Sequence, residues 1–289
     1  MFFKKKWALV LSGGGAKGMA HIGVLKFLDE LGVKPGLIVG TSVGAILGAF
    51  YACGMSGREI EDFIIKEFNY RDYFDIKTLH LPDNTLTKAL QAGETIKNLF
   101  TRSGVDSGSR IYDKVLELTG EKEFGEENIT FRCNSVDIVN HEHVVHRSGK
   151  IADAVKASIS VPGFFSPCKM DGKLLVDGGV YENMAVSVAR EEGFSDVIAV
   201  NLNNDNPVNV ETLEYGIDVI IEALFVNSRI RKREGIHKPD LEIIATDGRR
   251  SEDFSNPGEL IQMGYEKAAE HKKEVVRITV PFFNFFNKN

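Results

Sequence analysis

Leu37-Ile38-Val39-Gly40-Thr41-Ser42-Val43-Gly44-Ala45-Ile46-Leu47-Gly48-Ala49-Phe50 is the stretch on which the reading of this chain turns. Three apolar residues enter a G-x-S-x-G corner, and a second apolar run leaves it as far as Cys53, with Gly54 beyond. The pattern predicts a buried strand, a sharp turn and a buried helix. A serine on such a turn sits in a strained backbone, with Oγ clear of the sheet at the positive end of a helix. The pentapeptide alone also fits a tight buried turn with a serine cap. From Gly36 to Gly57 the chain carries no charge, a length that would suit a membrane span. The glycines and the polar Thr41-Ser42 thin that run, so strand, turn and helix in a soluble, cytoplasmic protein is the expectation.

The same rhythm precedes it. Trp7 to Leu11 is a short apolar run that ends in Ser12-Gly13-Gly14-Gly15-Ala16-Lys17-Gly18. Ile22, Leu25, Leu28 and Leu31 follow at helical spacing, and Gly32 stops them. Strand, helix, strand, helix with short connections implies an α/β fold of three layers, α/β/α, with a mainly parallel central sheet. Further on, helices are expected over 86–100, 109–118, 151–158, 185–192, 212–233 and 258–277. Strands are expected over 129–139, 143–146, 173–176, 197–202 and 241–245. No repeat or linker interrupts residues 1–289, so a single domain is the reading.

Composition narrows the function. The 289 residues carry a net charge of −6, which argues against nucleic acid as partner. Cys53, Cys133 and Cys168 are odd in number, far apart, and suit a reducing compartment. Met1-Phe2-Phe3-Lys4-Lys5-Lys6 imitates a signal peptide, but its apolar run is short and enters glycines rather than a cleavage site. No His/Cys/carboxylate cluster has metal-ligand spacing, and no cofactor or metal is expected.

Three segments carry chemistry. The Gly13–Gly18 loop can aim its N–H groups at one anion beside a helix start. Its spacing satisfies G-x-G-x-x-G, but a dinucleotide site wants an acid after the second strand, where Gly40-Thr41-Ser42 stands. A Walker A loop would need Lys and Ser/Thr after the last glycine, and Met19-Ala20 follow Gly18. None of the seven histidines (21, 80, 141, 143, 146, 237, 271) has the context of a base for Ser42. Asp177, ending Lys173-Leu174-Leu175-Val176 before Gly178-Gly179, does have it, although an ordinary Asp-Gly-Gly turn reads the same way.

In combination these segments resemble the patatin-like phospholipase family, with its G-G-G-x-[KR]-G loop, G-x-S-x-G elbow and D-G-[GA] turn in the same order. Ala157 to Pro167 is similar to the family's stretch before the aspartate. The resemblance spans about 6–202, and it departs at Asn183-Met184-Ala185-Val186, where the family often has a proline before the valine. It implies a Ser–Asp dyad in which Ser42 attacks an ester carbonyl and Asp177 takes its proton. The oxyanion and substrate loop would be Gly13, Gly14, Gly15, Lys17 and Gly18 with Val43; the Val43, Gly14 and Gly15 amides would each contribute roughly 3–4 kcal/mol. A free aspartate, with a pKa near ~3.9, is a poor base, so the site must be dry enough to raise it. Lys17 would either attract a phosphate or hold the loop.

The implied substrate is a lipid or acyl ester. Phe164 and Phe165, with Phe68, Tyr73, Phe74, Leu90 and Phe100, are candidates for an acyl trough and equally for core. Phe2-Phe3 beside three lysines, and Phe282-Phe283-Asn284-Phe285-Phe286, suit peripheral contact with the inner membrane surface, self-docking or a homodimer contact. Arg229 to Arg233 reads as a solvated helix end that suits the dipole. Two rivals share these features: a catalytically idle lipid-binding or signalling member of the fold, and a nucleotide-binding protein.

Overall fold

Ala8–Leu11, strand β1, is buried at every position, and its side chains alternate between two cores. Leu9 and Leu11 pack with helix residues such as Ile22, Leu25, Leu47, Phe50 and Ile261; Ala8 and Val10 pack with Val186, Val188 and Ala189. A sheet apolar on both faces must be covered on both, which is the origin of the three layers. The computed structural model describes residues 6–73, 104, 106–203, 216–235 and 238–280.

After β1 come a 3-10 turn (Gly15–Gly18), α1 (Met19–Glu30), β2 (Leu37–Gly40), α2 (Val43–Ala52) and α3 (Gly57–Lys66). Beyond α4 (Ser109–Thr119) lie β3 (Thr130–Asp137), β4 (Glu142–His146), α5 (Ile151–Ser158), β5 (Cys168–Met170) and β6 (Lys173–Asp177). Then follow α6 (Gly179–Glu182), α7 (Val186–Glu191), β7 (Val197–Asn201), α8 (Gly216–Glu234), β8 (Leu241–Ile244), α9 (Pro257–Glu270) and α10 (Lys272–Thr279). The sheet runs β5-β6-β3-β2-β1-β7-β8, with β4 also paired to β3. Pairs within β3-β2-β1-β7-β8 are parallel, and those of β3 with β4 and β6, and of β6 with β5, are antiparallel.

The chargeless 36–57 run is divided between β2 and α2, and no helix among the described residues is long and apolar enough to cross a membrane. The expected helix over 258–277 is two helices, because His271 leaves helical geometry (φ −96°, ψ 18°). Helix α3 was not anticipated, although Ser56 and Glu59 form a capping box: the Glu59 amide donates to Ser56 Oγ (3.2 Å) and the Ser56 amide to Glu59 Oε2 (2.7 Å). The helix expected over 86–100, Phe74, Leu90, Phe100, residues 212–215 and both Phe-rich termini fall outside the described residues.

Candidate active site

Strand β3 is what brings two distant loops together. Cys133 pairs with Gly40 of β2 on one edge and His146 of β4 on the other. Two residues on, Ser135 pairs with Val144 of β4 and with Asp177 of β6. Since β4 holds the far edge throughout, β2 and β6 share the near one, β2 running parallel to β3 and β6 antiparallel. Their C-terminal ends therefore point at each other, about 7 Å apart at two residues of strand rise. Ser42 follows the first end and Asp177 closes the second.

Ser42 has φ 54° and ψ −124°, a conformation costly for a residue with a Cβ. Glycine at 40 and 44 permits it: a Cβ on Gly44 would collide with the Leu11 carbonyl, and one on Gly40 with the Gly44 carbonyl. The start of α2 thus lies directly on the strand backbones. The Ser42 amide donates to Ser158 Oγ (3.0 Å), and the Asp177 amide to the Ser160 carbonyl (3.0 Å). One segment, leaving α5, therefore ties down both loops.

Asp177 is fully buried, and burial pushes its carboxyl up to about 6; the Ser42 hydroxyl and the Gly179 amide pull the other way. Oδ1 accepts the Gly179 N–H (2.7 Å), while Oδ2 has no hydrogen-bond partner. The Ser42 hydroxyl thus faces the carboxylate closely enough to influence it without a closed hydrogen bond, a common geometry in unliganded sites.

The glycine loop lies against Ser42. Val43 opens α2, and Gly14 and Gly15 open the 3-10 turn; their amides have no intrahelical acceptor and, among the described residues, no other protein acceptor. Gly15 is left-handed (φ 59°) against the Ser251 carbonyl. Gly13 differs: its amide donates to the Asn183 carbonyl (3.2 Å) and is committed there. Gly18 packs beneath the Val43 side chain. Lys17 is 8% exposed and donates to Asn203 Oδ1 (2.8 Å); burial, with Arg229 nearby, lowers its pKa to about 8. Asn203 in turn donates to the Gly13 carbonyl (3.1 Å), so Lys17 sits as a brace of the loop.

Ser42 and Asp177 line a cavity of about 610 Å³. Its walls are mostly apolar, among them Ile46, Leu47, Phe50, Phe63, Phe68, Tyr73, Val115, Phe164 and Phe165. Its polar lining includes Asn183, Asn201 and Asn203 with Arg229, Arg231, Lys232 and Arg233, so the cations expected on a solvated helix end also border the cavity. Among the described residues no histidine lines it. Burial lowers His21, His143 and His146 to about 4; His21 Nε2 meets the Ser12 carbonyl (2.8 Å) and His146 Nε2 meets Ser135 Oγ (2.8 Å). Among the described residues no group of three His/Cys/Asp/Glu converges as a metal site.

Several supporting residues went unread in the sequence. Buried Asn134 accepts from Thr41 Oγ1 (2.8 Å) and donates to the Glu182 carbonyl (3.0 Å), linking the Ser42 turn to the helix after Asp177. Asn183 donates from Nδ2 to the Gly13 carbonyl (3.1 Å), and its own amide donates to Ser228 Oγ (2.7 Å) on α8. Asn134 gave no signal beyond its place on an expected strand, whereas Asn183 stood in the segment Asn183-Met184-Ala185-Val186 that the family resemblance already marked.

The family model described as patatin-like phospholipase matches residues 9–190. A patatin-like phospholipase domain-containing protein of Caenorhabditis elegans is 31% identical over 210 residues, 72% of this chain and 14% of its own length. Human patatin-like phospholipase domain-containing protein 6 is 30% identical over 207 residues, 71% of this chain and again 14% of its own. An NTE family protein of Mycobacterium tuberculosis is 31% identical over 198 residues, 67% of this chain and 30% of its own. The chain thus spans a minor part of these relatives' length. The crystal structure of VipD from Legionella pneumophila shares the fold, with a TM-score of 0.54 at 17% identity over 94% of this chain and 67% of that one.

Proposed function

This chain belongs to the patatin-like phospholipase family, and from that premise we propose that it hydrolyses acyl esters of lipids through an acyl-enzyme on Ser42. Asp177 takes the Ser42 proton as Oγ forms its bond to the ester carbonyl carbon. The carbonyl oxygen becomes an oxyanion facing the Val43, Gly14 and Gly15 amides. As it collapses, the C–O bond to the leaving alcohol breaks and the alcohol takes the proton from Asp177. Water then repeats the sequence on the acyl-enzyme, with Asp177 as base and Ser42 as leaving group.

The observation that carries this reading is the pairing of a strained Ser42 with a buried carboxylate poised near 6 at the wall of an apolar cavity. A base near that value is ionised at neutral pH yet far more basic than a free aspartate. The apolar wall suits an acyl chain. Residues 1–289 are proposed to act as one domain, since one sheet runs through the described residues from β1 to β8.

The test is labelling by a fluorophosphonate probe together with turnover of p-nitrophenyl esters of increasing chain length. Both are expected to vanish in Ser42→Ala, turnover to vanish in Asp177→Asn, and both to survive in each His→Ala variant. Turnover that persists without Ser42 overturns the proposal. Acyl-chain binding with neither labelling nor turnover in the native chain would assign the idle alternative instead.

A further inference from the structure

One face of α2 forms a wall of the cavity that holds Ser42. Val43, Ile46, Leu47 and Phe50 all border the cavity, and at about 100° per residue they fall within one third of the helix circumference. The opposite face is pressed on the sheet: a Cβ on Gly44 would meet the Leu11 carbonyl, and one on Gly48 the Ile38 and Phe131 side chains. Ser42 stands at the head of this apolar strip, and Phe50, 2% exposed, is the last residue of α2 to border the cavity. Rings close the strip beyond it. Phe50 meets Phe63 edge to face (centroids 6.3 Å apart, 89°), Phe63 is tilted on Phe68 (6.3 Å), and Phe68 stacks on Tyr73 (4.9 Å), all of them at the cavity wall. The polar lining lies the other way from Ser42. Asn201 ends β7, which pairs with β1 on the side away from β2, so Asn201 and Asn203 sit across the glycine loop from Ser42.

We infer that this face of α2 is a ruler for the acyl chain, with Phe50 as its stop and chains of about ten carbons as the best fit. Ser42 fixes the carbonyl carbon only if the acyl-hydrolase reading holds, and the ruler rests on that reading. The length follows from the helix. Eight steps of about 1.5 Å put Phe50 about 12 Å along α2 from Ser42. An extended alkyl chain, with C–C bonds of about 1.5 Å in staggered rotamers, advances about 1.25 Å per carbon. A chain of about ten carbons therefore reaches the Phe50 ring. Direction follows from polarity. The acyl chain gains up to about fourfold in affinity for each methylene buried along the strip, whereas the alcohol side of the ester meets the asparagines. Methylenes past Phe50 have no strip to cover and gain nothing from it.

The experiment is the kcat/KM of the full-length chain on p-nitrophenyl esters from butyrate to palmitate, each below its aggregation concentration. It is expected to climb by up to about fourfold per methylene to about ten carbons, and then to level off or fall. Ile46→Phe, about 6 Å along α2 from Ser42, sets a ring across the strip and should move that break to about five carbons. Phe50→Ala should move it longer by about two carbons or more. Phe50→Leu should move it the same way by less, and replaces the alanine variant if circular dichroism shows that one unfolded. Chain lengths are compared within each variant, so a general loss of activity does not enter. A native profile that is flat or breaks outside about eight to twelve carbons overturns the inference. So does a break unmoved by Ile46→Phe and by the Phe50 variants. A native chain that turns over none of the esters refutes the acyl-hydrolase reading instead, and the strip is then tested without chemistry. Ser42→Ala should bind fatty-acid methyl esters, read by displacement of anilinonaphthalene sulfonate, with an affinity that climbs to the same length and stops. Affinity indifferent to chain length overturns the ruler on its own.

Discussion

Replacing Asp177 by Asn should make the protein inactive and more stable at once, and the gain should depend on pH in a calculable way. The folded state raises the Asp177 pKa from 3.8 to about 6, chiefly by burial. A carboxyl whose folded pKa lies above its unfolded value costs nothing below about 4, where both states are protonated. The cost grows as pH rises through the 4–6 window and is full above it. At about 1.4 kcal/mol per pK unit the charged form costs about 3 kcal/mol at pH 7.5 and about 1 kcal/mol at pH 4.5. Asparagine escapes both. It keeps the Gly179 N–H bond through Oδ1, and its amide can donate to the Ser42 oxygen. Any steric or hydrogen-bond misfit it introduces is the same at both pH values and cancels in the comparison. The assay is thermal or urea denaturation of native chain and variant at pH 7.5 and 4.5. The stabilisation at the higher pH should exceed that at the lower by about 2 kcal/mol, or about 4 °C for a chain of this size. An increment equal at the two pH values, or larger at pH 4.5, would refute the assignment of a buried, proton-hungry carboxylate.

Two further outcomes follow from the same geometry. The kcat/KM of ester hydrolysis should rise with pH as one ionisation near 6 and then level off, because the base must be unprotonated; a profile flat from pH 5 to 8 would contradict this. Asn134→Ala strands the buried Thr41 hydroxyl and Glu182 carbonyl, so it should destabilise by about 2–3 kcal/mol and lower kcat about tenfold with little change in KM. Unchanged kcat and melting temperature would mean that the brace is dispensable.

Legibility in the sequence followed the range of the interactions. The strands and helices around Ser42 were readable because burial imposes a period on consecutive residues, and β1, β2, α1 and α2 lie close to where the pattern puts them. Glycines 40 and 44 were readable through the G-x-S-x-G pattern, although the contact that demands glycine at 44, with the Leu11 carbonyl, is long-range. The break at His271 was not, because the apolar period continues across it and only packing selects two helices. Capping of α3 is legible in the spacing of Ser56 and Glu59, a local signal. Nor could sequence show that Gly13 spends its amide on Asn183, a residue 170 positions away.

The braces of the site expose the deeper limit. Asn134, Ser158, Asn183 and Asn203 each satisfy a polar group on another loop: Thr41, the Ser42 amide, and twice the Gly13 carbonyl. Nothing in the residue type announces such a role, since asparagine and serine serve equally in exposed turns. Their necessity arises only once the loops are buried, when an unpaired donor or acceptor costs about 1–3 kcal/mol. The same burial lifts Asp177 towards neutrality and depresses Lys17. Burial therefore does two things together: it makes the carboxylate basic, and it forces a polar scaffold to hold the Ser42 and Gly13 loops. Hydrating these buried groups should weaken both in concert, so a substitution that admits water beside Asp177 need not touch Ser42 to silence it.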